Sequence, residues 1–103
     1  LEIDKIRQAV REGRINTRYH ASRRMLEREI LYEEVLEVIS KGKVIESYPK
    51  AKPFPAHLMM GFVKEKEPLY VLCSFDGKIV HIITVHWLDP KKWITPWTRR
   101  KQK

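Results

Sequence analysis

Three side chains with chemistry to offer recur at every fourth position of one short stretch: His20, Arg24 and Arg28. On a helix that spacing lines them up along one ridge. Three groups that can each carry positive charge gain nothing from one another. An imidazole between guanidinium groups can instead hold a phosphate and move a proton beside it. Metal-free RNA cleavage asks for such a set: a base for the ribose hydroxyl, an acid for the leaving oxygen, and cations for the charge on phosphorus. The expected roles are His20 as acid or base and Arg24 and Arg28 as phosphate clamps. The plainer reading is a solvated basic helix face. A third is a buried network in which His20, Arg24 and Glu27 satisfy one another and fix the helix on its support.

Further candidates lie downstream. His81 and His86 differ by an odd number of residues, so on a regular strand they face opposite ways and only one can look into a cleft. His86 shares its face with Thr84 and is the catalytic candidate of the pair. His57 follows a proline-rich loop and is expected to be exposed. Tyr48 ends a strand and offers a hydroxyl. The four histidines show no compact ligand spacing, so no metal and no cofactor is expected. Cys73, the only cysteine, sits in the apolar run Tyr70 to Phe75 and reads as a buried small hydrophobe. With no disulfide available, a cytoplasmic setting is favoured. The four glycines are scattered, which excludes a phosphate-cradling loop or a dinucleotide fingerprint.

Charge placement sharpens this. The net charge is +8. Residues 91 to 103 hold +6 and residues 1 to 30 hold +3, while residues 31 to 90 come to −1. A polyanionic partner fits that asymmetry, either nucleic acid or an acidic protein segment. The cations expected to touch nucleic acid are Arg23, Arg28, Lys91, Lys92, Arg99 and Arg100. A solubilising tail explains the last four equally well. No run of apolar residues is long enough to span a bilayer, and the start lacks the apolar run of a signal peptide. The chain opens on Leu1, so at least an initiator residue is expected ahead of it.

The elements that must position these groups follow from periodicity. With 103 residues, one domain is the natural expectation. It should cover residues 1 to 97, followed by a flexible basic tail at 98 to 103. Ile3, Ile6 and Val10 mark a first helix over 2–12, with Gly13 at its stop. Residues 14 to 18 form a connector, with Asn16 or Thr17 as the next helix cap. A second helix spans about 18–28, with Ala21 and Met25 buried and Leu26 nearby. A third spans 32–41 on a stripe of Tyr32, Val35, Leu36 and Ile39, ending at a left-handed Gly42.

Strands follow at 44–48, 58–63, 69–75 and 78–88, with a loop through Pro49, Pro53 and Pro55. Asp76-Gly77 marks a tight hairpin. In the last strand Val80, Ile82 and Leu88 point one way, and Ile83, Val85 and Trp87 the other. Trp93 and Trp97 are expected to fold back onto the sheet. The sum is an α+β domain: three helices on one face of a four-stranded, mostly antiparallel sheet.

Two motifs carry a resemblance. His20-Ala21-x-x-Arg24-Met25-x-Glu27-Arg28-x-Ile30 followed by Glu33-Glu34-Val35 resembles the opening motif of domain-of-unknown-function family 4258. Ile83-Thr84-Val85 followed by Asp89-Pro90-x-x-Trp93 is similar to its closing motif. Together they frame about residues 18 to 100. The resemblance implies a small domain with helices before an antiparallel sheet. It also implies a distant similarity to RelE-like and BrnT-like toxins, many of them RNases paired with an antitoxin; that step is fold-level analogy. The chain departs from the family pattern at four places. Glu29 stands where a glycine is usual, Leu31 where a small hydroxyl residue is usual, His86 where a tyrosine is usual, and Leu88 where a proline is usual. A catalytic role for His86 therefore does not carry over.

The expected function is a small RNA-binding protein of the toxin–antitoxin type, with metal-independent endoribonuclease activity as its sharpest form. The partners expected are RNA and an antitoxin protein, with no membrane. The alternative is a non-enzymatic module that grips nucleic acid or an acidic protein through its basic helices and tail.

Overall fold

The computed structural model describes residues 2–63 and 67–88, together with the short strands Trp93–Thr95 and Thr98–Arg99. Three helices, α1 (Glu2–Arg11), α2 (Tyr19–Glu27) and α3 (Tyr32–Lys41), are joined by a short strand β1 (Ile15–Thr17) between the first two. Four strands follow: β2 (Lys43–Tyr48), β3 (Ala56–Val63), β4 (Glu67–Phe75) and β5 (Val80–Trp87). They form one sheet in the order β1-β5-β4-β3-β2. All neighbours are antiparallel except β1, which runs parallel to β5. The strands β6 (Trp93–Thr95) and β7 (Thr98–Arg99) pair with each other.

The α+β class and the grouping of helices on one face hold, whereas the strand count does not. The expected connector at 14–18 contains a fifth strand, and the sheet is mixed. Three residues are too few to show a period. β1 forms because pairing beside β5 gives its backbone partners: Val80 N–H donates to Arg14 O at 3.1 Å and Arg18 N–H to Ile82 O at 3.1 Å. Arg18, not Asn16 or Thr17, is the residue before α2, and no side chain caps that helix. The expected flexible tail also begins with a strand, since Thr98 and Arg99 pair with Thr95 and Trp93.

One core fills the space between helices and sheet. Ile6 and Ala9 of α1, Ala21 of α2 and Val35, Val38 and Ile39 of α3 pack onto Met59, Val71, Cys73, Ile82 and Val85. A second, smaller cluster of Leu58, Met60 and Tyr70 lies on the other sheet face. Burial pushes the Cys73 thiol up to about 12, with the Glu2 charge adding to it, so it stays a protonated packing group. Two expected stripe members are outside the core: Leu26 is 84% exposed and Tyr32 is 39% exposed.

The helix ends show how local sequence sets the layout. α1 stops at Gly13 with φ +76°, and Arg14 N–H returns to Ala9 O at 2.8 Å. α2 stops the same way with Glu29 in the left-handed position, φ +55°, and Ile30 N–H reaches Met25 O at 2.9 Å. At the start of α3 the Glu34 carboxylate accepts from Leu31 N–H at 2.8 Å. That is half of a capping box, because leucine has no oxygen to return the bond.

Gly42 is extended, at φ −77°, and not left-handed as its place after α3 suggests. A glycine is required there for closeness: a Cβ would lie 2.5 Å from the carbonyl oxygens of both Val38 and Met60. The guanidinium of Arg7 closes that helix end, donating to Ile39 O at 3.1 Å and Gly42 O at 2.8 Å.

A bulge in β5 corrects the expected orientation of its side chains. Cys73 pairs with Ile82 and Leu72 with Thr84, leaving Ile83 as the extra residue. The alternation inverts there. Val80 and Ile82 before the bulge, and Val85 and Trp87 after it, all pack against the helix-side core. His81, opposite Ser74, and His86, opposite Tyr70, therefore share the other face. The β4–β5 hairpin closes between Asp76 and Ile79, with Gly77 at φ +95°. Asp76 Oδ1 also accepts from the Lys78 and Ile79 N–H groups, at 2.8 and 2.7 Å.

Candidate nucleic-acid interface

α2 packs with Ala21 and Met25 toward the core, which turns Tyr19, His20, Ser22, Arg23 and Glu27 to solvent. His20 is exposed, and among the described residues it has no hydrogen-bond or ion-pair partner. Arg24, one turn on, is half-buried and pairs with Glu27 at 3.0 Å on the surface. The expected buried network of His20, Arg24 and Glu27 is therefore a single surface ion pair beside an untied imidazole. Arg28 is spent differently. Its Nη1 donates to Val85 O at 2.8 Å, while Trp87 Nε1 donates to the Arg28 carbonyl at 3.0 Å. These two bonds tie the end of α2 to β5, so Arg28 fixes the ridge more than it extends it. Arg23 stands over the Tyr19 ring, its guanidinium carbon 5.8 Å from the ring centre.

His86 does not join this ridge. α2 packs on the helix-covered side of the sheet, and His86 lies on the other side, stacked on Tyr70 with ring centres 5.0 Å apart and planes 9° off parallel. Its Nδ1 is 3.0 Å from Trp87 O, so Nδ1 carries the proton and donates. The structure brings His20, Arg23 and Arg24 together on one helix and leaves the sheet between them and His86. Lys91, Lys92 and Arg100 lie outside the described residues, as do the Arg99 side chain and the docking of Trp93 and Trp97.

The remaining histidines are struts. His57 was expected to be exposed. Instead its side chain is 16% exposed and bridges two layers. Nδ1 meets Ser47 Oγ at 3.0 Å and Nε2 meets the Glu2 carboxylate. His81 is held between Asn16 Nδ2 at 3.2 Å and Asp76 Oδ2 at 3.0 Å. The Asp76 carboxyl is held down at about 2, first by the Ile79 N–H, then by His81 and the Lys78 N–H. Tyr48 gives its hydroxyl proton to Glu46. Among the described residues, no three His, Cys, Asp or Glu side chains come together as a metal site would need.

Two features here went unread in the sequence. The Tyr19–Arg23 pair was legible, since the two are four apart on a helix. The His57 bridge was not, because Glu2 and Ser47 lie 55 and 10 residues away from it.

A family model described as a domain of unknown function, DUF4258, matches residues 17–87, more than half of the chain. The chain belongs to the DUF4258 family. The match opens just before α2 and ends with Trp87, so the resemblance carried by the α2 motif and by Ile83-Thr84-Val85 falls inside it. Asp89-Pro90-x-x-Trp93 lies beyond it. No curated protein and no solved structure matches the chain. Among the described residues, no helix is long and apolar enough to cross a membrane.

Proposed function

We propose that this DUF4258 domain is a small RNA-binding protein of the toxin–antitoxin type, with α2 as its RNA-facing element. The observation that carries the reading is the outer ridge of α2. Arg18, Tyr19, His20 and Arg23 are all exposed there, and the packing of the helix uses none of them. The acids of this segment do not cancel the ridge: Glu27 is paired with Arg24, and Glu29 lies past the helix end. In a chain of net charge +8, such a face attracts a polyanion from a distance and holds its phosphates on contact. A cytoplasmic setting and an antitoxin partner belong to the same reading.

The sharper form is metal-independent cleavage. His20 stands one turn from Arg24, so an untied imidazole and a guanidinium flank the same stretch of helix. His20 would move the proton and Arg24 would steady the phosphate charge. The second reading, a module that binds without cutting, is favoured by the position of His86. With His86 across the sheet, the ridge holds one proton-transfer group where cleavage uses two.

Purified protein incubated with labelled RNA separates these. Binding at low salt, weakened in His20→Ala and Arg24→Ala, is the expected result. Cleavage products that disappear in the same variants would establish the enzyme, and binding without products the module. A protein that retains no RNA at low salt would end both readings.

A further inference from the structure

The geometry points to single-stranded RNA as the ligand of α2, held by one base stacked on the Tyr19 ring with Arg23 behind it. The inference rests on the RNA-binding reading of this helix and names the form of RNA it takes.

Three observations carry it. Tyr19 is 74% exposed, in the first turn of a helix that packs through buried Ala21 and partly buried Met25. A tyrosine left out of the core forgoes the burial that normally fixes its ring. Arg23 supplies other support, since its guanidinium lies over the ring, and at 74% exposure most of the residue is still open to solvent. A base has a flat π-face that stacks on such a platform whatever its identity. Finally, the groups around the ring are cationic or neutral: Arg18, His20, Ser22 and Arg23. The phosphates on either side of a stacked base meet positive charge from both directions.

The form of the RNA follows from the chemistry of the ring. In a duplex the base faces are stacked on their neighbours and covered. The edges of an RNA helix are recognised mainly through shape, phosphates and 2′-hydroxyls. A ring offered on a convex helix has nothing flat to touch there, and the duplex is held by the cations alone. An unpaired strand presents the face that Tyr19 fits. Leu26, 84% exposed and two turns further along, gives the next nucleotides an apolar surface on the same ridge.

The test compares a labelled oligouridylate with an RNA duplex of equal length by fluorescence anisotropy, for the full chain and for three variants. The full chain should bind the single strand more tightly than the duplex. Tyr19→Leu keeps apolar bulk and loses the ring, and should weaken single-strand binding by about tenfold, the scale of one lost base stack. Its duplex binding should not change. Tyr19→Phe should bind like the parent. Arg23→Gln should weaken both ligands and flatten the salt dependence of both. Because Tyr19 is outside the core, circular dichroism should show each variant folded. Single-strand binding unaffected by Tyr19→Leu would overturn the inference and leave RNA binding standing. So would polyglutamate competing as well as the oligonucleotide, which would mark the face as a reader of charge alone. Binding of neither RNA by the full chain would overturn the inference and the RNA reading together.

Discussion

His20 and His57 are chemically the same side chain put to opposite uses. His57 is bonded at both ring nitrogens, to a serine on the neighbouring strand and a glutamate on a helix in the other layer. His20 is exposed on a helix whose packing ignores it. A ring fixed at both nitrogens has no lone pair or proton to give a substrate without breaking the fold. A ring free of the fold has both. The contrast separates the polar groups of this small basic domain that serve structure from those that do not. Those on the sheet tie its parts together, His57 across to α1 and His81 within the sheet between β1 and the β4–β5 turn, and those on the outer ridge of α2 connect nothing inside the molecule.

If that division is right, damage to the connecting side should be expensive. The largest effect should come from Gly42→Ala. Its methyl group would collide with two carbonyl oxygens that are themselves fixed by α3 and β3. Overpacking against rigid backbone should cost about 3 kcal/mol, read from the urea midpoint. A variant melting like the parent would show that the α3–β3 contact is looser than described. His57→Ala comes next. It removes two hydrogen bonds whose partners, Ser47 and Glu2, water can still reach, with an expected cost of about 1 kcal/mol. His57→Gln, which keeps one donor and one acceptor, should recover part of it. No loss in either variant would put His57 in the same class as His20 and dissolve the contrast.

How far the sequence showed this division depends on the range of each contact. α3 was legible to the residue, because its apolar spacing, first-turn acids and following glycine all agree locally. The ridge of α2 was legible for the same reason: residues four apart on a helix are neighbours whatever the rest of the chain does. β1 was not, since three residues carry no period and its only reason to be extended is an edge some 65 residues away. The bulge at Ile83 was not, because Ile-Ile-Thr-Val reads as unbroken strand. It alone moved His81 and His86 onto one face. Gly42 shows the same limit: a glycine after a helix suggests left-handed backbone, and only the approach of Met60 shows that it is there for clearance. The place of the α2 stop was legible, since Glu29 stands where the family usually has a glycine, but a glutamate gives no sign that it adopts the left-handed backbone that glycine would.

Smaller effects probe the same contrast at its edges. Asp76 anchors His81 and the β4–β5 turn, with its carboxyl held at about 2. An unfolded aspartate titrates near ~3.9. Because the folded value is the lower one, the ionised carboxylate adds stability that is complete above about pH 4 and is lost as pH falls toward 2. Asp76→Asn should therefore flatten the dependence of the thermal midpoint on pH within that window. A variant that follows the parent there would remove Asp76 as the anchor of His81. Glu29→Gly works in the opposite direction. Relief of left-handed strain, less the entropy of a new glycine, should raise stability by about 0.5 kcal/mol. A fall instead would mean that the contacts of the Glu29 side chain outweigh its backbone strain.

The smallest effect on stability is expected at the ridge itself, and there it says the most. Among the described residues His20 contributes no hydrogen bond to the fold, and Arg24 contributes one surface ion pair of the kind that adds little. His20→Ala and Arg24→Ala should each leave the thermal midpoint almost unchanged, within about 0.5 kcal/mol of the parent. Suppose His20 transfers a proton in RNA cleavage. Its loss should then cut the rate about a hundredfold or more with the fold intact. Arg24→Lys, which keeps the charge but not the planar fork, should fall between Arg24→Ala and the parent. Melting and cleavage measured on the same preparations keep the two kinds of loss apart. A midpoint lowered by as much as in His57→Ala would show that the ridge carries structural weight, and the division between the two sides of the domain would fail where it matters most. A midpoint unchanged, with cleavage or RNA binding also unchanged, would leave the ridge as a solvated face and point to the uncovered sheet face that His81 and His86 share.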